Sequence, residues 1–335
     1  MWSRLLPLAG LLLTSGANAE SLSAARLGVV YNLDDASSRE IAGYYAERRF
    51  VPFYNVIGVH LPSVGVVTPE SFAPVRAQLL EQLPTHIQAL ILVWSKPWAV
   101  GCMSITTAFA AGYRPEFCVP GCGRTVPNPL YKTDGWLPAD TVGWWPAMLL
   151  PSEDKTLARA LIDRGIAADG SNPAGILYLV RTGDAIRNVR ANAYAEVEAN
   201  LSQRLAIKEM TTPITRPVAD AMGYFTGVAR VEELRQIHFR PGAIADHLTS
   251  SGGVLAGDEQ MSALAWIQQG ATASYGSVSE PCNLLEKFPE VGILFEHYLH
   301  GETALEAYWK SVAMPGQGLF VGEPLVRPFA SSMLK

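Results

Sequence analysis

Three runs near the start decide the fold: Arg26-Leu27-Gly28-Val29-Val30-Tyr31-Asn32, Asn55-Val56-Ile57-Gly58-Val59-His60-Leu61 and Gln88-Ala89-Leu90-Ile91-Leu92-Val93-Trp94. Each is short, almost unbroken in apolar character and rich in β-branched residues, as expected of strands buried on both faces. Segments with helical spacing separate them. Ser37 to Arg49 opens with a Ser cap and puts Ile41, Tyr44 and Tyr45 on one face, and Pro69 to Leu83 forms the second. Strand, helix, strand, helix, strand predicts a mostly parallel sheet covered on both faces, a three-layer α/β sandwich.

The alternation resumes beyond residue 150. Helices are expected over Ser152 to Arg164, Asp184 to Leu205, Gln260 to Gln269, Val291 to His300 and Thr303 to Val312. Strands are expected over 175–180, 221–226, 271–276 and 319–321, giving about seven in all. Between the halves, from Pro97 to Pro146, 7 Pro and 6 Gly fall together with three of the four Cys and with Trp98, Trp136, Trp144 and Trp145. A long loop holding Cys and Trp is ordered rather than disordered, so 97–146 reads as an excursion over one sheet edge within a single α/β domain over 20–335.

Of the 335 residues, 49% are hydrophobic and 17% charged, against roughly 25% charged in soluble domains. Disorder is thereby excluded. A net charge of −5 without a basic run argues against a nucleic-acid partner. Arg4, the apolar run Leu5 to Leu13 and Ala17-Asn18-Ala19 have the order of a cleavable secretory signal, cut after Ala19. The alternative is an uncut anchor, although the run is too short to span a bilayer. Residues 1–19 are therefore expected to be a signal peptide, leaving a periplasmic or secreted chain with no membrane span.

In an oxidising compartment Cys102, Cys118, Cys122 and Cys282 favour two disulfides. Cys118 and Cys122 share one short turn, so the expected pairing is Cys118–Cys122 and Cys102–Cys282. A zinc site is the competing reading, but C-x-x-x-C with two scattered Cys lacks the paired spacing of a zinc ribbon. No metal or cofactor is expected, and G-x-S-x-G, Walker and H-E-x-x-H motifs are missing from the sequence.

Function in open parallel sheets gathers at the carboxyl ends of strands. One such end offers Asn32 and Asp34, which could bind a cation or amine or serve only as turn and cap residues. A second offers Arg230 to an anion. A third, Gly242 to Gly253, places His247 and Ser250 three apart, sharing a face if the segment is a helical turn, with Asp246 nearby and Ser251 following. That spacing suits a serine nucleophile with its base, or an ordinary helix C-cap. Glu280 stands at a fourth strand end. His297 and His300 read as surface residues. The Trp group, Trp98 included, is either a stacking platform for sugars or the excursion's own core.

Several phrases carry a resemblance: Tyr31-Asn32 with Ser38-Arg39-Glu40-Ile41-Ala42-Gly43-Tyr44-Tyr45, then Arg49-x-Val51-Pro52-x-x-Asn55-Val56-Ile57. Gly270-Ala271-Thr272-x-Ser274-Tyr275-Gly276-x-Val278-x-Glu280-Pro281 and Gly322-Glu323-Pro324-Leu325-x-Arg327-Pro328-Phe329 continue it. Together they resemble an uncharacterised family of exported bacterial proteins from genomes that carry the exosortase sorting system. That resemblance implies an envelope setting of sorted surface proteins and exopolysaccharide. More distantly, the strand ending Thr226-Gly227-Val228-Ala229, the Pro-Gly-led strand ending Thr249-Ser250-Ser251-Gly252-Gly253, and Gly270 to Ser274 are similar in order to gingipain-type peptidases of the caspase-like fold. The resemblance puts Val228 at the place of their catalytic His, and Ser250 or Ser251 at that of their Cys. It implies either a degenerate scaffold that binds a peptide, protein or polysaccharide of the envelope, or a serine hydrolase using Ser250 with His247.

Overall fold

The computed structural model describes residues 21–119, 122–135, 139–257 and 259–330. The expected signal peptide, and Trp136, lie outside these residues. The first half runs β1 (Leu27–Asn32), α1 (Ala36–Arg49), β2 (Val56–Val59), β3 (Val66–Val67), α2 (Pro69–Gln82) and β4 (Ala89–Val93). The excursion holds β5 (Ala99–Val100), β6 (Met103–Ser104), α3 (Ile105–Ala111) and α4 (Ala139–Val142), and then come β7 (Ala147–Leu150) and α5 (Lys155–Ala168). The second half runs β8 (Ile176–Arg181), α6 (Tyr194–Leu201), β9 (Ala206–Thr211), β10 (Val218–Gly227), β11 (Ile237–Leu248) and α7 (Ala263–Gln269). It ends with β12 (Ala273–Ser277), α8 (Val291–Leu299), α9 (Ala304–Ser311) and β13 (Gly318–Gly322).

Ten strands form one sheet in the order β2-β1-β4-β7-β13-β12-β11-β10-β8-β9, more than the seven expected. β12 and β13 meet at an antiparallel seam, from Ala273–Gly322 to Ser277–Gly318, whereas β2, β1, β4 and β7 pair in parallel with one another, as do β12, β11, β10, β8 and β9. The carboxyl ends of β4 and β12 leave by one edge: Ser279 Oγ, just past β12, donates at 2.8 Å to Cys102 O in the excursion that follows β4, while Glu323, just past β13, meets Arg49 and Gly165 toward the far ends of α1 and α5. Helices cover the faces of the sheet, and the α/β expectation holds.

Local chemistry explains the individual elements. Asp35, rather than a Ser, caps α1: its carboxylate accepts from the Ser37 amide at 2.8 Å. Ser38 accepts from the Asn32 amide at 2.7 Å and donates to the Val93 carbonyl, pinning α1 to β1 and β4. At the far end of α1, Arg49 forms a buried ion pair with Glu323, which also accepts from the Tyr45 hydroxyl at 2.8 Å, and a second pair with Asp169. Thr303 and Glu306 make a reciprocal capping box on α9. Trp309 stacks on Phe320 with centroids 4.6 Å apart, sealing the seam.

Trp98 and Trp144 of the excursion belong to the main core of the domain and Trp145 packs against it, so they form neither a separate core nor an exposed sugar platform. Trp98 is buried against Gly65, where a β-carbon would collide with the indole. Trp144 lies 5.6 Å from Phe117 and 6.2 Å from Trp309, ring to ring. The disulfides are Cys102–Cys118 and Cys122–Cys282, which corrects the expected pairing. The turn Pro115–Phe117 buries Phe117 and carries Cys118 back to the β5–β6 hairpin, 5.8 Å from Cys102 between α-carbons. Cys122 is left to meet Cys282 across 5.2 Å.

Candidate functional site

Strand order divides the expected site. β1 and β11 stand five places apart in the sheet, about 24 Å at the usual strand spacing, so Asn32 and Asp34 at the end of β1 do not meet Ser250 and Ser251 after β11, whereas Arg230 and Glu280 follow the neighbouring strands β10 and β12. Asn32 is buried and holds the ends of β1 and β2 together: its Nδ2 donates to Leu61 O at 2.9 Å, and its Oδ1 accepts from the amides of Asp34 and Leu61. Asp34 faces solvent beside His60, 3.0 Å away.

The segment through Asp246 and His247 is the end of β11, not a helical turn. Consecutive strand residues point to opposite faces, and these two diverge. Opposite Phe225 in register, Asp246 forms a buried ion pair with Arg190, and burial raises its pKa despite that cation. His247, opposite Thr226, sits under α7, where Trp266 Nε1 donates to its Nδ1 at 2.9 Å. That bond makes Nδ1 the acceptor and fixes the proton on Nε2, which donates to Met261 O at 2.8 Å. Burial, against the Met261 carbonyl and aided by the charge of Arg190, pulls the His247 pKa down to about 4. With both nitrogens engaged and the ring neutral, His247 offers no base to Ser250, and Asp246 does not orient it.

The loop after β11 is fixed by its own contacts. Gln260 Oε1 accepts from Thr249 Oγ1 at 2.6 Å and from the Ser251 amide at 2.9 Å, and Arg187 Nε donates to Thr249 Oγ1 at 3.1 Å. Gly252 and Gly253 lie against Gly276 so closely that a β-carbon on Gly276 would strike the Gly252 backbone. These glycines serve strand packing. Exposed Glu280 accepts from the Cys282 amide at 2.7 Å and shapes the turn that presents Cys282 to its disulfide. Arg230 lines a small pocket of about 230 Å³ with Tyr224, Thr226 and Val228.

A larger cavity, of about 580 Å³, opens on the face of the sheet opposite α7, between α6 and α8. Val197, Leu201, Phe288, Val291 and Ile293 give it apolar walls, and Lys132, Arg190 and Arg204 border it, Arg204 donating to Leu299 O at 2.7 Å. Nη1 of Arg190 is held by Asp246, while its Nε and Nη2 have no partner. Glu196 and Glu296 line the cavity as exposed carboxylates without an ion pair among the described residues, whereas Glu290 is bridged to Lys132. Neither this cavity nor the smaller pocket includes Ser250, Ser251 or Glu280. Its residues were not singled out from sequence. The one available signal was the apolar spacing of Val197 and Leu201 in α6, which also describes an ordinary core helix.

His297, expected at the surface, is largely buried with Nδ1 2.9 Å from Glu302, which Lys310 also contacts at 2.7 Å. Among the described residues no group of three or more His, Cys, Asp or Glu could hold a metal. No helix among them is long and apolar enough to cross a membrane.

No family model matches the chain, and the comparison with curated proteins found no match. Among solved structures the chain is similar to one described as "Structure of Protease", at 12% identity and a TM-score of 0.47, over 92% of this chain and 80% of that one. That degree of likeness carries no inference about activity.

Proposed function

We propose that this chain is an exported binding protein that takes an apolar peptide segment bearing a basic side chain into the cavity between α6 and α8. The observation that carries the reading is that cavity: about 580 Å³, within the range of ligand sites, apolar in its walls and rimmed by the unpaired Glu196 and Glu296. A lysine or arginine would meet the two carboxylates while its neighbours cover Val197 and Leu201. Burial of Trp98 and Trp144 favours peptide over polysaccharide. The two disulfides accord with a periplasmic or secreted location, and the exosortase setting is what the family resemblance implies. Binding without catalysis accords with the engaged nitrogens of His247 and with Val228 at the place of a peptidase His.

The test is a peptide array probed with wild type and with Val197→Trp, which fills the cavity. Wild type is expected to select apolar sequences containing Lys or Arg, and the variant to lose them. Selection that is indifferent to charge and unchanged in the variant would overturn the reading.

A further inference from the structure

We infer that Glu290 is a specificity-determining carboxylate of the α6–α8 cavity, and that Lys132 of the excursion holds it in place of the ligand's basic side chain until the ligand arrives. The inference rests on the cavity reading above and adds the regulation of that site. Four glutamates line the cavity: Glu196, Glu286, Glu290 and Glu296. The first and last make no ion pair among the described residues, whereas the excursion brings a cation to each of the other two. Arg124 Nη1 lies 2.8 Å from Glu286, and Lys132 Nζ lies 3.2 Å from Glu290. Of these two cations only Lys132 lines the cavity itself. The chain thus already seats a basic side chain on a cavity carboxylate, which is the contact proposed for the ligand.

The segment that carries Lys132 is tied to α9 and the residues after it. The Asn128 amide donates to Ala313 O at 2.8 Å, Asn128 Nδ2 donates to Val312 O at 2.9 Å, and the Lys132 amide donates to Lys310 O at 3.0 Å. Lys132 adopts φ 57°, in the left-handed region that favours glycine. A fixed backbone therefore delivers its ammonium to Glu290, and the hydroxyl of neighbouring Tyr131 donates to the same carboxylate at 2.7 Å. Glu290 precedes α8 without its side chain bonding the helix, so the carboxylate serves no cap. The Lys132 and Glu290 side chains are 48% and 45% exposed. A pair so exposed is weak, because water screens it and two long side chains must be ordered to form it. A ligand ammonium or guanidinium whose apolar neighbours cover Val197 and Leu201 displaces Lys132 at little cost, while Tyr131 stays to orient the carboxylate.

The experiment is a fluorescence-anisotropy titration of the full chain with a labelled peptide of apolar residues around one lysine, and with a counterpart carrying norleucine in place of that lysine. Lys132→Met is expected to bind the lysine peptide about two- to fivefold more tightly than wild type, and the norleucine peptide equally. Glu290→Gln is expected to cancel the gain, so that Lys132→Met/Glu290→Gln binds as Glu290→Gln alone. Unchanged or weaker binding of the lysine peptide by Lys132→Met, a gain shared by the norleucine peptide, or a gain that persists beside Glu290→Gln would overturn the inference and leave the cavity reading standing. Failure of wild type and all three variants to bind either peptide would overturn both.

Discussion

Trp266 Nε1 donates to His247 Nδ1 at 2.9 Å, joining α7 to the end of β11 inside the core. The bond assigns the imidazole tautomer, since the remaining proton sits on Nε2 and is held by Met261 O. Trp266→Phe removes the donor and leaves Nδ1 buried and unsatisfied, at an expected cost of about 2–4 kcal/mol from the lost bond and the space left by the smaller ring. Urea unfolding measures it, and a loss below about 0.5 kcal/mol would show that the bond matters little.

The same histidine predicts a pH dependence. Its pKa is near 6.5 unfolded and about 4 in the fold, so between those values the unfolded chain binds a proton that the folded chain refuses. Stability is whole above about pH 6.5 and falls as the pH drops toward 4, by up to about 3 kcal/mol from this group. His247→Gln should start less stable and lose less across that window. Equal slopes in wild type and variant would refute the assignment.

Arg49 and Glu323 lie 274 positions apart and form a buried pair. Glu323→Gln leaves the guanidinium with Asp169 as its remaining counter-charge, and a loss of about 2–3 kcal/mol is expected. Denaturant midpoints of Arg49→Met, Glu323→Gln and the double variant would show strong coupling, and additive effects would contradict it.

Cysteine pairing is directly measurable. Mass spectrometry of an unreduced digest should find Cys102 linked to Cys118 and Cys122 linked to Cys282. Because the two bridges span separations of 16 and 160 residues, loop-closure entropy assigns them roughly 3 and 5 kcal/mol. Cys122→Ser/Cys282→Ser should therefore be the more damaging double variant in thermal unfolding.

A fluorophosphonate probe should label wild type no more than Ser250→Ala or Ser251→Ala, because the nearest imidazole in sequence has both nitrogens engaged. Labelling lost in Ser250→Ala alone would restore the hydrolase reading.

The first half of the fold was legible because strands such as Leu27–Asn32 and Ala89–Val93 are buried on both faces and read as continuous apolar runs. β11 was harder to read. Arg240, Pro241 and Gly242 interrupt it with turn chemistry, and Asp246 and His247 put polar groups where a core strand is expected to be apolar. β9 is an edge strand, Ala-Ile-Lys-Glu-Met-Thr, too exposed to announce itself. Nothing in Ala273–Ser277 or Gly318–Gly322 encodes that the two run antiparallel, nor that both lie between β7 and β11. That strand order, which no local pattern records, is what separates Asp34 from Arg230, Ser250 and Glu280. The α6–α8 cavity is made by helices far apart in sequence, so no local pattern records it.

The most direct test of the binding account is photo-crosslinking. A peptide with apolar residues around a lysine and a photoreactive side chain is irradiated with the full chain, and its adducts are mapped by mass spectrometry. The account predicts adducts on the cavity walls, at Val197, Leu201 and Ile293, reduced in Glu196→Gln/Glu296→Gln. Adducts concentrated at Arg230 or along Ser250 to Gly253 would contradict it.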